Sequence, residues 1–253
     1  MIEVKNIEKS FGDSKVLKGV STVFETGKTN LIIGQSGSGK TVLLKSLLGI
    51  FTPEIGTIEF DGRIYSELQA DEKRELRTEI GMVFQGSALF DSMTVEENIG
   101  FPLKMFTNKT LIEIQDRVNF VINRVNLINA NHKKPSEISG GMQKRVAIAR
   151  AIVNNPKYLF CDEPNSGLDP NTAILIDNLI GEITEEYNIT TVINTHDMNS
   201  VMEIGQNILF LKNGLKAWQG NKDEIFKTDN EAVVAFVYSS NLFKKVREAV
   251  LKG

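Results

Sequence analysis

A glycine-rich segment at residues 34–41 constrains the fold of this chain more than any other feature. It reads GQSGSGKT and matches the pattern G-x-x-x-x-G-K-[ST]. A strand-like run, Thr29–Ile33, comes before it, and a helical pattern over residues 40–48 follows. Glycines let backbone N–H groups surround phosphate oxygens, and the start of the helix adds a favourable dipole. The segment therefore predicts a phosphate-binding loop between a strand and a helix.

Two side chains at the end of this loop add chemistry to the backbone. Lys40 supplies a positive charge for the outer phosphates, and the Thr41 hydroxyl is a suitable ligand for Mg²⁺. A chance turn of Gly and Ser is the alternative interpretation. It does not account for the strand and the helix on either side, so phosphate binding is favoured.

The composition argues against several other classes of protein. The single cysteine, Cys161, excludes an internal disulfide, and two isolated histidines offer no zinc cluster. No stretch approaches the roughly 18 apolar residues of a membrane span, and the net charge of -3 argues against nucleic-acid binding. We therefore expect a soluble protein that reaches a membrane only through partners. Cys161 lies in an apolar run and is expected to be buried.

The first 157 residues predict a β layer followed by helices. Residues 2–8 and 16–24 alternate as strands do, and residues 57–65 form a hairpin around Asp61-Gly62. Thr94 and Glu97 form a capping box that opens a helix. Further helices are predicted over residues 110–127, with Leu111, Ile114, Val118, Val121, Ile122 and Val125 on the apolar face, and over 140–153.

Later residues return to alternating strands and helices. Strands are predicted at 158–161, Thr190–Asn194, Asn207–Lys212 and 215–218, with a helix over 170–187. This order predicts an α/β fold: a parallel-sheet core, an N-terminal antiparallel β layer and an inserted helical subdomain at about 86–157. The core domain covers residues 1–220, and residues 221–253 form a helical C-terminal extension.

Polar residues follow three of the predicted strands. Asp162 and Glu163 end one strand, Gln85 follows the strand 80–84, and His196 follows Thr190–Asn194. Taken singly, each is more often a loop residue than a catalytic one. With a phosphate loop in the same chain, Asp162 is suited to Mg²⁺ and Glu163 to polarising a water. Gln85 and His196 are then candidates for the metal, the water or the γ-phosphate.

A further motif, ISGGMQKR at residues 138–145, resembles the signature of ABC ATPases. It is followed by AIARA at 147–151 and by DEPNSGLDP at 162–170, in the family's order and spacing. The resemblance covers about residues 1–220 and implies a P-loop, RecA-like core. Two departures are Met142, where the family commonly has Gln, and Asn165, where it commonly has Thr or Ser. Neither changes a catalytic carboxylate, and little is expected from Asn165.

The resemblance also implies the role of each site residue. Glu163, His196 and Gln85 are implied as catalytic, and Thr41, Gln85 and Asp162 as Mg²⁺ ligands, with residues 166–169 as the D-loop. ATP binding is assigned to Phe11 and Val16 at the adenine, to the phosphate loop, and to the signature of a partner copy in a homodimer. The complete nucleotide-binding set is Phe11, Val16, Gly34, Ser36, Gly37, Ser38, Gly39, Lys40, Thr41 and, in trans, Ser139, Gly140 and Gly141.

Three segments narrow the resemblance to one branch of the family. QGSALF at 85–90, NIGFPL at 98–103 and SGGM at 139–142 are similar to ATPases of MCE-linked, Mla-type phospholipid transporters. This implies transmembrane permease subunits, an MCE-domain protein, and a peripheral position on the cytoplasmic face of the inner membrane. A small-solute importer and a non-transport regulator of a membrane complex are the alternatives.

Two regions outside the motifs carry predictions about partners. Residues 85–106 are expected to expose Leu89, Phe90, Phe101, Leu103 and Phe106 as a groove for a short permease helix. Packing within the helical subdomain is the simpler alternative. The tail carries an apolar stripe, with Leu242, Phe243, Val246, Val250 and Leu251. The Mla-type resemblance implies that this stripe crosses to the partner subunit and stabilises the dimer. Packing on its own domain and a membrane-surface role for the adjacent basic residues are the alternatives.

Overall fold

The computed structural model describes residues 1–238, and the stripe predicted in the tail lies outside them. The chain divides into two compact units, residues 69–191 and the remainder on either side of them. Within residues 1–238, no helix combines the length and apolar character that crossing a bilayer requires.

The elements up to residue 68 are β1 (Ile2–Phe11), β2 (Ser14–Phe24), β3 (Thr29–Ile33), α1 (Lys40–Leu47), β4 (Ile55–Phe60) and β5 (Arg63–Ile64). Those of the second unit are α2 (Ala70–Thr78), β6 (Ile80–Val83), α3 (Val95–Phe106), α4 (Leu111–Arg124), a 3-10 turn (Pro135–Glu137), α5 (Gly140–Ile152), β7 (Tyr158–Asp162) and α6 (Pro170–Glu186). The chain continues through β8 (Thr190–Asn194), α7 (Met198–Ile204), β9 (Asn207–Lys212), β10 (Leu215–Gly220) and α8 (Glu231–Val237).

The first unit contains the predicted antiparallel layer, in the order β2-β1-β4-β5. Ile2 lies opposite Phe24 on one side and Phe60 on the other, and all three side chains are buried. The hairpin between β4 and β5 turns at Asp61 and Gly62, whose φ angles are 46° and 83°. Two positive φ angles are the mark of a type I′ turn, which confirms the predicted hairpin.

A parallel layer in the same unit carries the glycine-rich loop. β3 pairs in parallel with β9, and its other neighbour is β8. All five residues of β3 are buried, which explains why a short run without alternation still forms a strand. The Thr195 N–H donates to the carbonyl of Ile32 at 3.1 Å, so β3 and β8 end at the same edge. The residues that follow each strand therefore emerge together.

The second unit places two further strand ends side by side. β6 and β7 are parallel, with Ile80 opposite Tyr158 and Val83 opposite Cys161. Because the register is maintained over four residue pairs, the segment after Val83 and the acids that end β7 emerge at one edge. Cys161 is buried, as predicted.

Two helices in this unit, α3 and α4, begin at residues whose side chains cap the first turn. The Glu97 N–H donates to the Thr94 hydroxyl while the Glu97 carboxylate accepts from the Thr94 N–H, which confirms the predicted capping box. Thr110 and Glu113 form a second box at the start of α4. Asn98 is buried, and its amide group binds the backbone of Phe90 in both directions, which fixes the loop before α3.

The helices depart from the sequence predictions in several places. Leu111, predicted on the buried face of α4, is 78% exposed because the Thr110 cap makes it the first helical residue, facing solvent. Two helices were not predicted, α2 and α7. In the extension, residues 221–230 form turns and the described helix covers only Glu231–Val237.

Candidate active site

The glycine-rich loop has the backbone conformation that phosphate binding requires. Gly34, Gly37 and Gly39 have φ angles of 149°, 77° and 106°. A Cβ at Gly34 would lie 2.3 Å from the carbonyl oxygen of Leu211, so only glycine fits there. α1 begins directly after Gly39 with no side-chain cap, which leaves its first N–H groups to a ligand. These features fit the phosphate groups of a nucleotide.

Polar side chains at the loop also fit that ligand. The Lys40 ammonium donates to the carbonyls of Gly34 at 2.9 Å and Gln35 at 3.2 Å, which keeps its charge at the loop. The Ser38 hydroxyl is buried and has no hydrogen-bond partner within residues 1–238. A buried polar atom of this kind is costly unless a ligand or water satisfies it.

The residues assigned to adenine lie in the same unit. Phe11 is 43% exposed and packs edge-on against Phe51, with ring centroids 5.1 Å apart. The Lys9 ammonium lies 5.3 Å from the centre of the Phe11 ring. Val16 lies beside the loop, since a Cβ at Gly39 would be 3.7 Å from its side chain. A partly exposed aromatic ring such as that of Phe11 is suited to stacking on a base.

The end of β8 adds one residue that the sequence analysis missed. The Asn194 amide donates to the Thr41 hydroxyl at 3.4 Å, so it helps to orient the oxygen assigned to Mg²⁺. His196 is exposed two residues later, at the same edge as the loop. Asn194 could have been predicted as a site residue from its position, because it is the polar last residue of a predicted strand. The polar residues at the ends of the other strands were chosen as site candidates for the same reason.

In the second unit, two of the predicted catalytic residues contact each other. The Gln85 side-chain amide donates to a Glu163 carboxylate oxygen at 2.9 Å, and lies 3.4 Å from the Ser166 hydroxyl. Glu163 has φ 46°, in the left-handed region, and Asp162 directly precedes it. The backbone therefore turns directly after Asp162. Asp162 is assigned to the metal and Glu163, which contacts Gln85, to the water.

The segment after Gln85 is held by two basic side chains of α5 that were not predicted as site residues. Lys144 is only 5% exposed, and its ammonium donates to the carbonyl oxygen of Gln85. Arg150 donates to the carbonyls of Ser87 and Ala88, both at 2.7 Å. Ser87 and Ala88 have positive φ angles, and these bonds stabilise that conformation.

The signature residues open α5 and pack on α6. The Ser139 hydroxyl accepts from the Met142 N–H at 3.3 Å and so caps the helix. A Cβ at Gly141 would lie 2.8 Å from the Thr172 methyl group, so Gly141 is required for the approach of the two helices. Met142 is half-buried. The structure thus gives Ser139 a capping role and Gly141 a packing role, in addition to the phosphate contact assigned to each.

The D-loop is anchored at both ends. Asn165 is buried, and its amide donates to the carboxylate of the buried Asp177 at 3.1 Å. Little was expected of Asn165, but this bond ties the turn after Glu163 to α6. Asp169 caps α6, and hydrogen bonds from the Thr172 hydroxyl and N–H hold the pKa of its carboxyl below the usual value.

An apolar groove of about 510 Å³ lies beside Gln85 within the second unit. Phe84, Phe90, Phe101 and Phe106 line it, and the rings of Phe90 and Phe101 are 4.8 Å apart. Arg77 and Arg150 supply positive charge at its wall. Leu103 was predicted to be exposed here, but it is completely buried, because it lies on the face of α3 that packs into the unit.

Residues 17–166 match the family model described as ABC transporter. The chain belongs to the ABC transporter family. It is an ATPase nucleotide-binding domain of that family. The chain is 39% identical over 93% of its length to a Mycobacterium leprae protein named "Probable ribonucleotide transport ATP-binding protein mkl", and spans 68% of that protein. It is 38% identical over 95% of its length to the methionine import ATP-binding protein MetN of Campylobacter jejuni, and spans 76% of it.

Solved structures agree on the fold. A dimeric ABC transporter cassette, MJ0796, superposes with a TM-score of 0.79 at 33% identity, covering 88% of this chain and 99% of the cassette. The same cassette is known in a post-hydrolysis state with ADP and phosphate bound. The predicted fold class, an α/β P-loop core with an antiparallel layer, is therefore confirmed.

Proposed function

We propose that two copies of this chain bind two MgATP at their interface and hydrolyse them to drive a membrane permease. The observation that carries the proposal is the hydrogen bond from the Gln85 amide to the Glu163 carboxylate, at 2.9 Å. It places a residue of the segment assigned to the permease in direct contact with the residue assigned as the base. A movement of either side chain would therefore alter this bond.

The residues divide the reaction between them. The loop N–H groups and Lys40 would hold the phosphates. Thr41, Gln85 and Asp162 would hold Mg²⁺, which would supply positive charge against the phosphates. The Glu163 carboxylate takes a proton from a water as the water oxygen attacks the γ-phosphorus. The bond to the bridging oxygen breaks and ADP leaves. His196 is assigned to the γ-phosphate.

Dimerisation gives the signature its function. Ser139, Gly140 and Gly141 form the N-terminus of α5, the kind of end that attracts anions. In a head-to-tail pair, each copy would apply this end to the ATP held by Lys40 of its partner. The dimeric state of the MJ0796 cassette supports this arrangement. A crossing role for the C-terminal tail stays a prediction.

The groove beside Gln85 suits the permease. Its aromatic lining would receive the apolar face of a short helix, and the two arginines at its wall favour an acidic residue on that helix. Closure of the dimer would then move the permease through this contact. This couples the proposed chemistry to movement in the membrane.

Phospholipid is the proposed cargo, with an MCE-domain protein as a further partner and the cytoplasmic face of the inner membrane as the location. The similarity of the segments at 85–90, 98–103 and 139–142 to Mla-type ATPases supports this assignment. Asn98, in the second segment, binds the backbone of Phe90, the last residue of the first. A small-solute importer is the second candidate, favoured by the similarity to a protein named for methionine import.

Substituting Glu163→Gln tests the assignment of the base. The variant should bind ATP with unchanged affinity, and its kcat should fall by about 10² to 10⁴, the usual contribution of a general base. Steady-state phosphate release and binding of a fluorescent ATP analogue measure the two quantities. Glu75→Gln, at an exposed position of α2, is the control and should behave as the original chain. Normal turnover by the Glu163→Gln protein would refute the assignment.

Affinity purification from native membranes in mild detergent tests the cargo. Mass spectrometry of the co-purified proteins and lipids should find a permease, an MCE-domain protein and phospholipid. A permease with a solute-binding protein would establish the importer instead. An enzyme without a permease would point to a regulator.

A further inference from the structure

Lys144 occupies an unusual environment for a lysine. It lies on α5, five positions after the signature serine, and only 5% of it is exposed. Its ammonium donates to the backbone carbonyl of Gln85. Burial lowers the pKa of Lys144, and the nearby Glu163 carboxylate acts in the opposite direction. A charge is rarely buried unless a specific contact compensates it.

The contact leads directly to the candidate base. Lys144 holds the backbone of Gln85, and the side chain of Gln85 donates to Glu163 at 2.9 Å. The same amide lies 3.4 Å from the Ser166 hydroxyl at the start of the D-loop. A displacement of the Gln85 backbone would therefore move the amide that orients the carboxylate.

We propose that Lys144 is a positioning residue for hydrolysis, acting through Gln85 on Glu163. This inference rests on the proposed roles of Gln85 and Glu163. The bond from Lys144 joins the first part of α5 to the segment after β6. It thereby keeps the distance between the signature and the proposed base constant within the unit. The positive charge is the essential property, because it compensates both the carbonyl dipole and the neighbouring carboxylate.

Steady-state kinetics of the full chain with MgATP test this role. Lys144→Met keeps the length and loses the charge, and its kcat should fall by roughly tenfold to a hundredfold, since small misplacements of catalytic groups have effects of this size. KM for ATP should stay within about twofold, because only transition-state stabilisation is lost. Lys144→Arg should keep kcat within about threefold. Lys109→Met, at an exposed position of the same unit, is the matched control.

A double-mutant cycle separates positioning from simple destabilisation. In a Gln85→Ala background the route through the amide is gone, so adding Lys144→Met should lower kcat by less than about twofold. If Lys144→Met does not fold, as judged by circular dichroism, Lys144→Gln replaces it in the same cycle. A full additional loss in the Gln85→Ala background would overturn the proposal, as would unchanged kcat for the neutral variant.

The Glu163→Gln protein serves as the reference in these assays. If it is inactive while the Lys144→Met protein turns over normally, the inference about Lys144 is wrong and the proposed base stands. If the Glu163→Gln protein retains normal turnover, the proposed base itself fails, and the Lys144 inference fails with it.

Discussion

At the scale of single residues, Glu163 combines a strained backbone with the role of general base proposed for it. Its φ of 46° is one that residues with a Cβ adopt at some cost, and the hydrogen bond from the Ser166 N–H to the Glu163 carbonyl at 3.2 Å closes the turn that holds it. Asn165 and Asp177 fix the same turn from the other side. The energetic cost of this φ angle is thus offset by contacts that do not involve the Glu163 carboxylate.

Cys161 leads to a prediction about reactivity. Burial raises the pKa of its thiol, so at neutral pH the group stays protonated and the nucleophilic thiolate is scarce. We expect no reaction with Ellman's reagent in the native protein and one thiol per chain after unfolding in guanidinium. A Ser66→Cys variant, at an exposed position, should gain one fast-reacting thiol. Fast labelling of the unsubstituted chain would contradict the burial.

At the scale of helices and strands, sequence patterns predict the elements correctly where every residue of a strand is buried or where a capping box marks the start of a helix. Thr29–Ile33 and Thr190–Asn194 are predicted with the correct bounds, because each is a fully buried run. α2 has the sequence ADEKRELRT, in which only Leu76 is buried, so no apolar period marks it. Leu103 and Leu111 show the limit of periodicity, since the packing of neighbouring elements decides which side of a helix is covered.

The approach of α5 to α6 leads to a prediction about packing. Gly141→Ala would place a methyl group 2.8 Å from the Thr172 methyl, and overpacking of this kind destabilises by about 1–3 kcal/mol. Thr172→Ser removes the opposing methyl and keeps the hydroxyl that binds Asp169. Thermal unfolding should therefore show a lower Tm for the single Gly141→Ala variant and recovery in the double variant. Equal Tm values for the single variant and the original chain would show that the helices adjust freely.

At the scale of the whole molecule, the motifs identify the family, but contacts between distant segments need coordinates. The bond from Lys144 to Gln85 spans 59 positions, and Gln85 to Glu163 spans 78. Nothing in the local pattern distinguishes Lys144 from its neighbours Gln143 and Arg145. The motifs predict which residues take part in the chemistry, whereas the side chains that hold those residues in place depend on how the segments pack.

The proposed dimer leads to a prediction about association. The Glu163→Gln protein should be monomeric without nucleotide and dimeric with MgATP, because hydrolysis no longer separates the pair. Light scattering after size exclusion measures the mass. Adding Ser139→Arg should prevent the dimer by placing a bulky side chain at the helix end that meets the partner's nucleotide. Ser66→Arg, at an exposed position, is the control, and an ATP-bound monomer in the Glu163→Gln protein would contradict the model.

The partly exposed ring of Phe11 has a consequence for which nucleotide the protein hydrolyses. In the base-stacking role proposed for Phe11, the ring would accept any purine, because a phenyl ring has no donor or acceptor that distinguishes the exocyclic groups of adenine and guanine. The loop is proposed to bind the phosphates through backbone groups, and these phosphates are common to every nucleoside triphosphate. GTP should therefore support turnover nearly as well as ATP. In a cell, the relative abundance of the two nucleotides, rather than the pocket, would then decide which one powers the cycle.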